Sequence, residues 1–337
     1  MLDADVEVDR REFTVRVALQ VAPGERLALF GPSGAGKTTL LEVIAGLVPP
    51  RRGHIELGGR VLTSTAPPVR DVPPWQRRVG LLRQDPGLFP HLSVRDNLCY
   101  APSASPSEAE LSSLASLLGI EPLLAAMPAR LSGGQAHRVA LGRLLLAHCD
   151  TLFLDEPYTG LDASLRRTLT HLVASLVAER SVPAILVTHE LADAQAFADR
   201  LAVLDRGALL QVGAPDEVVL RPASRRVAEL VGYLGFVPSG RTVAGVHPER
   251  VIPGAFGDRG LVLTGTVTAS RPAGAGWEAD LRTGEAVMTC RLADRPPASG
   301  ALFTVTALDP PYFAAEEDEP ATGPAEGGQT FPEQVAG

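Results

Sequence analysis

The chain has a single lysine. Of its 31 basic residues, all but Lys37 are arginine, an imbalance that a GC-rich coding background produces without functional pressure. Aromatic residues make up only 5% of the 337. The three cysteines, Cys99, Cys149 and Cys290, are far apart, with no CxxC pair. This excludes a disulfide framework and predicts reduced, mostly buried thiols in a reducing compartment. No run reaches the roughly 20 apolar residues of a membrane-spanning helix, and "MLDADVEVDR" has neither a basic start nor an apolar core. A soluble, unexported chain is expected. Clustered basic charge is also missing. Formal net charge is −8, and the stretch after Ala314 carries Glu316, Glu317, Asp318, Glu319, Glu326 and Glu333 with no base. The remainder is nearly neutral, which argues against a nucleic-acid partner.

A chain of 337 residues is longer than one core usually fills, so a large domain plus a smaller one is expected. "EFTVRVALQV" alternates Phe13, Val15, Val17, Leu19 and Val21 on one face, as a half-buried strand does. "RLALF" is a short apolar strand that leads through a glycine-rich loop into the helical run "TTLLEVIAGLV". "TLFLDE" and "AILVTHE" are apolar on both faces and flank the amphipathic "SLRRTLTHLVASLVAER", which implies an α/β domain with a buried parallel sheet. Between about Ser107 and Leu146 the spacing of Leu111, Leu114, Leu117 and Leu118 predicts helix. From Val243 to Leu308, short strands joined by Gly/Pro turns predict a small β-barrel, and beyond it the acidic tail is expected to be disordered.

"GPSGAGKTT" comprises Gly31, Pro32, Ser33, Gly34, Ala35, Gly36, Lys37, Thr38 and Thr39 and fits the pattern GxxxxGK[ST] between a strand and a helix. In such a loop, backbone N–H groups and the helix dipole hold phosphates, the lysine reaches the β/γ-phosphates and Thr38 serves Mg2+. An ammonium is a compact point charge where a guanidinium is wide and planar, so this position has a steric reason to stay lysine in a chain that otherwise uses arginine. Asp155 ends the apolar "TLFLD" and can hold the Mg2+ shell, and Glu156 beside it can polarise an attacking water.

"LSGGQAHRVALGRLLLAHCD" lies shortly before that carboxylate pair. With it, residues 1–235 resemble the ATP-binding cassette (ABC) ATPase family. Gln84 in "LLRQDPGLFPHLSVRDNL" matches its Q-loop, Leu161-Asp162 in "TGLDA" its D-loop and His189 in "LVTHE" its switch histidine. The resemblance implies an α/β P-loop NTPase fold with a helical subdomain at about 94–147. It implies ATP and Mg2+ as ligands, with Thr38, Gln84 and Asp155 at the metal and Glu156, His189 and Gln84 at the reaction. It also implies a head-to-tail homodimer in which Ser132, Gly133, Gly134 and Gln135, together with Asp162, complete the nucleotide site of the other copy. Two departures stand out. Phe13 sits closer to Gly31 than the family's adenine-stacking aromatic, and its alternation suits core packing equally. Ala136, His137 and Gly142 vary a helix that keeps Arg138.

Residues 240–314 are similar to the transport-associated OB-like β-barrel domain of importer ATPases for oxyanions, sugars and ferric iron, and 315–337 is the acidic tail. The short barrel and the wording "FGPSGAGKTT" look most like molybdate- and sulfate-type members. The implied role is ATP hydrolysis for solute import, with molybdate or a related oxyanion as the leading cargo. Sulfate, ferric iron or sugar import and export are alternatives, and a soluble non-transport ATPase is less favoured. The implied partners are membrane permease subunits, a second copy and, indirectly, a solute-binding protein, at the cytoplasmic face of the cell membrane.

Overall fold

Strictly alternating apolar residues build the first strand pair. In the computed structural model, which describes residues 1–101 and 106–315, β1 (Leu2–Asp9) pairs antiparallel with β2 (Thr14–Val21). The pair buries Leu2, Ala4, Val6 and Val8 from one strand and Val15, Val17, Leu19 and Val21 from the other. The opening segment is thus a strand, and its own alternation carries the signal.

The first unit runs from Met1 to Val231. It continues with β3 (Arg26–Phe30), α1 (Lys37–Ala45), β4 (Arg52–Leu57), β5 (Arg60–Ser64), β6 (Arg70–Asp71) and β7 (Val79–Leu82). Three helices follow, α2 (Val94–Leu98), α3 (Glu108–Leu117) and α4 (Gly133–Leu146), then β8 (Thr151–Asp155), α5 (Ala163–Arg180), β9 (Ala184–Thr188) and α6 (Leu191–Phe197). The unit closes with β10 (Arg200–Asp205), β11 (Ala208–Gly213), α7 (Pro215–Leu220) and α8 (Arg225–Leu230).

Its strands form one 11-stranded sheet in the order β6-β5-β4-β1-β2-β11-β10-β3-β9-β8-β7. The half from β10 to β7 is parallel and matches the expected buried sheet: β8 and β9 are buried at every residue. The other half is antiparallel, with hairpins such as the Gly58-Gly59 turn between Leu57 and Arg60, except where β11 meets β2 in parallel at the pair Ala208–Arg16. The helical pattern expected over about 107–146 is carried by two α-helices, α3 and α4, with an irregular stretch between them. Gly119 has φ +62°, and Pro122 and Pro128 sit in 3-10 turns at Glu121–Leu123 and Pro128–Arg130, so the chain cannot continue an α-helix there.

The second unit begins at Gly232. It comprises β12 (Phe236–Ser239), β13 (Thr242–Gly245), β14 (Val251–Pro253), β15 (Gly260–Ala273), β16 (Gly276–Thr283), β17 (Ala286–Leu292), β18 (Leu302–Leu308) and β19 (Tyr312–Ala314). A three-stranded sheet β12-β13-β19 accompanies a five-stranded sheet β14-β18-β15-β16-β17, which curls around Val251, Leu263, Val267, Leu281, Met288 and Val305 as a barrel-like unit. The acidic tail lies, from residue 316, outside the described residues.

One buried charge braces the first unit. Arg77, 2% exposed, donates to Val72 O (2.6 Å), Ile44 O (2.9 Å), Thr63 Oγ1 (2.9 Å) and Asp71 Oδ1 (2.7 Å). It therefore satisfies a carbonyl at the C-terminal end of α1, where a cation also suits the helix dipole, and ties that end to β5 and β6. Arg77→Met leaves Val72 O, Ile44 O and Thr63 Oγ1 buried without this donor, while Asp71 is exposed and can hydrate, and should cost roughly 1–3 kcal/mol. Urea denaturation followed by circular dichroism reads the loss.

Candidate nucleotide site

Register aligns the strand ends that build the site. Phe30 of β3 lies beside Thr188 of β9, Val187 beside Asp155 of β8, and Leu154 beside Leu82 of β7. Gly31, His189, Glu156 and Gln84 follow within two residues and emerge at one edge of the parallel half-sheet, the place where open α/β sheets bind ligands. A cleft of about 790 Å3 opens there, lined by Ser33, Lys37, Thr38, Gln84, Glu156 and His189 among others.

Close approach of backbone to backbone explains the loop's glycines. Gly31 has φ +154°, and a Cβ there would lie 2.0 Å from Leu204 O; at Gly36, with φ +104°, it would lie 2.8 Å from the Val15 side chain. Ala35, buried, donates its N–H to Pro32 O at 3.2 Å, and Gly34 and Thr39 face the cleft. Lys37 is only 6% exposed, and its ammonium donates to Gly31 O (2.7 Å) and Pro32 O (2.8 Å). Burial lowers its pKa below the usual lysine value, with Glu156 and Asp155 pulling the other way.

Thr38 Oγ1 donates to Asp155 Oδ2 at 2.7 Å. Asp155 is 3% exposed; burial raises its pKa, and the Thr38 hydrogen bond opposes the rise. Glu156 next to it has φ +50°, the left-handed region that non-glycine residues rarely occupy. Its N–H donates to Val187 O (3.0 Å), its carbonyl accepts from Thr159 Oγ1 (3.1 Å), and its Oε1 lies 3.0 Å from His189 Nδ1. A strained turn thus aims one carboxylate into the cleft and another, Asp155, at the loop.

Ser132 and Gln135 do a different job. Ser132 caps α4: its Oγ accepts from Gln135 N (3.3 Å), while Gln135 Oε1 accepts from Ser132 N (2.9 Å). Asp162 caps α5, accepting from Ser164 N (2.9 Å) and Leu165 N (3.0 Å), and these bonds lower its pKa. None of Ser132, Gly133, Gly134, Gln135 or Asp162 lines the Lys37 cleft. Gly133 and Gly134 have no positive φ, and a Cβ on either would meet nothing within 4 Å.

Several contributors had no motif to announce them. The β1–β2 turn brings Arg10, Arg11 and Phe13 to the cleft, and Phe13 also packs on the core. Arg143 of α4 donates to Gly87 O and Pro86 O (3.1 Å each) and stacks 5.3 Å over Phe89. Buried Asn97 accepts from Phe89 N (2.9 Å) and donates to Leu92 O (3.0 Å). The segment that follows Gln84 is therefore gripped from α4 and α2. His137 of α4 reaches across to Pro157 O (3.1 Å), tying that helix to the turn after Glu156.

Burial lowers the His137 pKa. A histidine whose folded pKa is depressed contributes stability that is present above its unfolded value of about 6.5 and lost as pH falls through it. The denaturation midpoint should therefore drop on the acid side of neutrality, and His137→Gln, which keeps a donor for Pro157 O, should flatten that drop in urea titrations at pH 7.5 and 5.5.

Residues 15–159 match the ABC transporter family model. The molybdenum import ATP-binding protein ModC of Mycobacterium tuberculosis is 41% identical over 257 residues, covering 72% of this chain and 69% of its own length. An Fe(3+) ions import ATP-binding protein of Rhodococcus jostii is 41% identical over 218 residues, 64% of this chain and 62% of that relative. Among solved structures, a dimeric ATP-binding cassette in a post-hydrolysis state with ADP and Pi superposes with a TM-score of 0.54 at 25% identity, over 64% of this chain and 99% of that one. The ATP-binding subunit of an ABC transporter gives 0.56 at 29% identity, over 69% and 95%. With the phosphate loop, the paired carboxylates and the histidine gathered at one sheet edge, this chain belongs to the ABC transporter family, as one of its ATP-binding ATPases.

Proposed function

We propose that this chain is the ATP-hydrolysing subunit of an ABC importer, works as a head-to-tail pair and takes an oxyanion, molybdate first, as the cargo of its permease. The observation that carries the reading is the convergence of Lys37, the Thr38–Asp155 pair and the Glu156–His189 pair on one cleft.

The donor set fits Mg2+. Thr38 hydroxyl, Asp155 carboxylate and Gln84 amide are hard oxygen ligands, and no cluster of three or more His, Cys, Asp or Glu side chains is present among the described residues. That suits a cation which keeps waters and phosphate oxygens in its shell. Bound there, Mg2+ would neutralise charge on the phosphates. The chain's own groups do the rest. Backbone N–H groups of Ser33–Thr39 and the start of α1 bind the phosphates, and the buried ammonium of Lys37 holds the β/γ end. Glu156 orients the attacking water and accepts its proton as the water oxygen bonds to the γ-phosphorus and the bond to ADP breaks. His189 Nδ1–H, donating to Glu156 Oε1, fixes that carboxylate and leaves Nε2 for the γ-phosphate.

Bare glycines at Gly133 and Gly134 support the shared site. Open space around both means that nothing within the chain requires them, whereas a partner's γ-phosphate docking on the start of α4 does. The segment Gln84–Leu98 is the proposed coupling surface to the permease, held to the cassette by Arg143 and Asn97. No described helix is long and apolar enough to cross a membrane; the permease is proposed as a separate subunit. For cargo, the molybdenum relative matches over 72% of this chain and the ferric one over 64% at equal identity. In the second unit, Arg271 pairs with Glu278 and Asp280, and Arg291 with Glu278 and Glu249.

Lys37→Ala should abolish ATP binding, and Glu156→Gln should bind MgATP without cleaving it and accumulate as a dimer by light scattering. A Glu156→Gln chain that stays monomeric at saturating MgATP contradicts the pair. With its permease, ATPase activity should rise with a binding protein loaded with molybdate, tungstate or sulfate; stimulation by an iron- or sugar-loaded protein alone contradicts the cargo.

A further inference from the structure

Behind the Glu156–His189 pair lies a buried polar cluster that no motif covers. Tyr158 sits two residues past Glu156, Asp193 four past His189, and Arg166 four past Asp162. Tyr158 is 3% and Asp193 7% exposed. Arg166 of α5 donates through one terminal nitrogen to Asp193 Oδ1 of α6 at 3.2 Å. Thr170 of α5, beside the phenol, gives its proton to Arg166 O (2.9 Å). The cluster therefore joins the turn that carries Glu156, the helix that follows His189 and the helix that Asp162 caps.

Two of its polar atoms are orphans. Tyr158 Oη and Arg166 Nε are both buried, and neither has a hydrogen-bond partner. Buried polar atoms are seldom left so, because the lost hydration is not recovered. Burial drives the phenol's pKa up to about 12, so its proton stays on; the neighbouring Thr170 hydroxyl opposes that rise but does not meet hydrogen-bond geometry with the phenol in this arrangement. Ordinary core packing would put Phe at 158, whereas Arg166 is half-buried and already paired with Asp193. Retention of the Tyr158 hydroxyl at a buried position points to an arrangement other than this one in which it is used.

We propose that Tyr158, Arg166 and Asp193 are positioning residues for hydrolysis: they hold the Glu156 turn, His189 and the start of α5 in one register, and the phenol donates its hydrogen bond only when the nucleotide-bound dimer shifts α5 against α6. This rests on Glu156 and His189 being the reaction residues. The cluster acts through them and touches no phosphate. A displacement of the carboxylate by about 1 Å is enough to lower a rate by up to about a hundredfold, while the phosphate loop, anchored on β3 and α1, keeps its affinity.

The test uses the full chain and reads kcat, KM for ATP and thermal midpoint together. Asp193→Asn and Arg166→Met should lower kcat about tenfold or more with KM within about twofold of wild type, and the double variant should be no worse than the poorer single one, as members of one unit are non-additive. Arg166→Lys should recover part of the rate. Tyr158→Phe should leave the thermal midpoint unchanged or higher, since the hydroxyl has no partner to lose, yet lower kcat. Wild-type kcat in Tyr158→Phe, or in both Asp193→Asn and Arg166→Met, overturns the proposal. So does a fall in rate that merely follows a rise in KM and a loss of midpoint, which marks the cluster as structural. Lys37→Ala runs alongside: if that variant still hydrolyses ATP, the site reading itself has failed, whatever the cluster variants do.

Discussion

Parallel register between β3, β9, β8 and β7 is the constraint on which everything else rests. Hydrogen bonding fixes Phe30 against Thr188, Val187 against Asp155 and Leu154 against Leu82. The phosphate loop, His189, Glu156 and Gln84 therefore share one edge without any direct bond holding all of them together. A slip of one residue in a strand would turn its side chains to the other face. Complete burial of β8 and β9 on both faces makes that slip costly. A strained residue such as Glu156, half-buried and with φ of +50°, can consequently be held at that edge, because the frame beneath it is over-determined.

The two glycine-bearing loops of the cassette answer to different constraints. Gly31 and Gly36 are pressed against Leu204 and Val15, so their own chain forbids a side chain. Gly133 and Gly134 face open space. One loop is constrained by its own fold, and at the other nothing within the chain requires glycine. The lone lysine belongs to the first kind. Lys37 is buried, its ammonium is threaded between two carbonyls 2.7 and 2.8 Å away, and a planar guanidinium would not fit that geometry.

Much of this was legible in the sequence because the phosphate loop, "TLFLDE", "LSGGQ" and "LVTHE" are local patterns whose chemistry depends on near neighbours. The strand at Leu2–Asp9 was not read, because charged residues at alternate positions mask its buried Leu2, Ala4, Val6 and Val8. Nor was Arg77. Its acceptors at Ile44, Thr63, Val72 and Asp71 come from separate elements, and no spacing relates them. The antiparallel half of the sheet and the helix breaks at Gly119, Pro122 and Pro128 follow from turn chemistry inside segments that periodicity alone reads as uniform. Arg166 and Asp193 likewise sit 27 residues apart and meet only once α5 and α6 have packed.

The central claim is that Ser132–Gln135 of one copy complete the nucleotide site of another, and complementation between two damaged chains tests it most directly. A Lys37→Ala chain and a Ser132→Arg chain, both built on Glu156→Gln so that bound ATP is retained, are each expected to trap no ATP alone. When they are mixed in equal amounts, half the dimers pair one of each, and in those one composite site has both intact halves while the other has both lesions. Trapped radiolabelled ATP should return to about a quarter of the level held by Glu156→Gln itself, as closed two-fold pairing requires. A mixture that traps no more than its separate components would contradict the shared site.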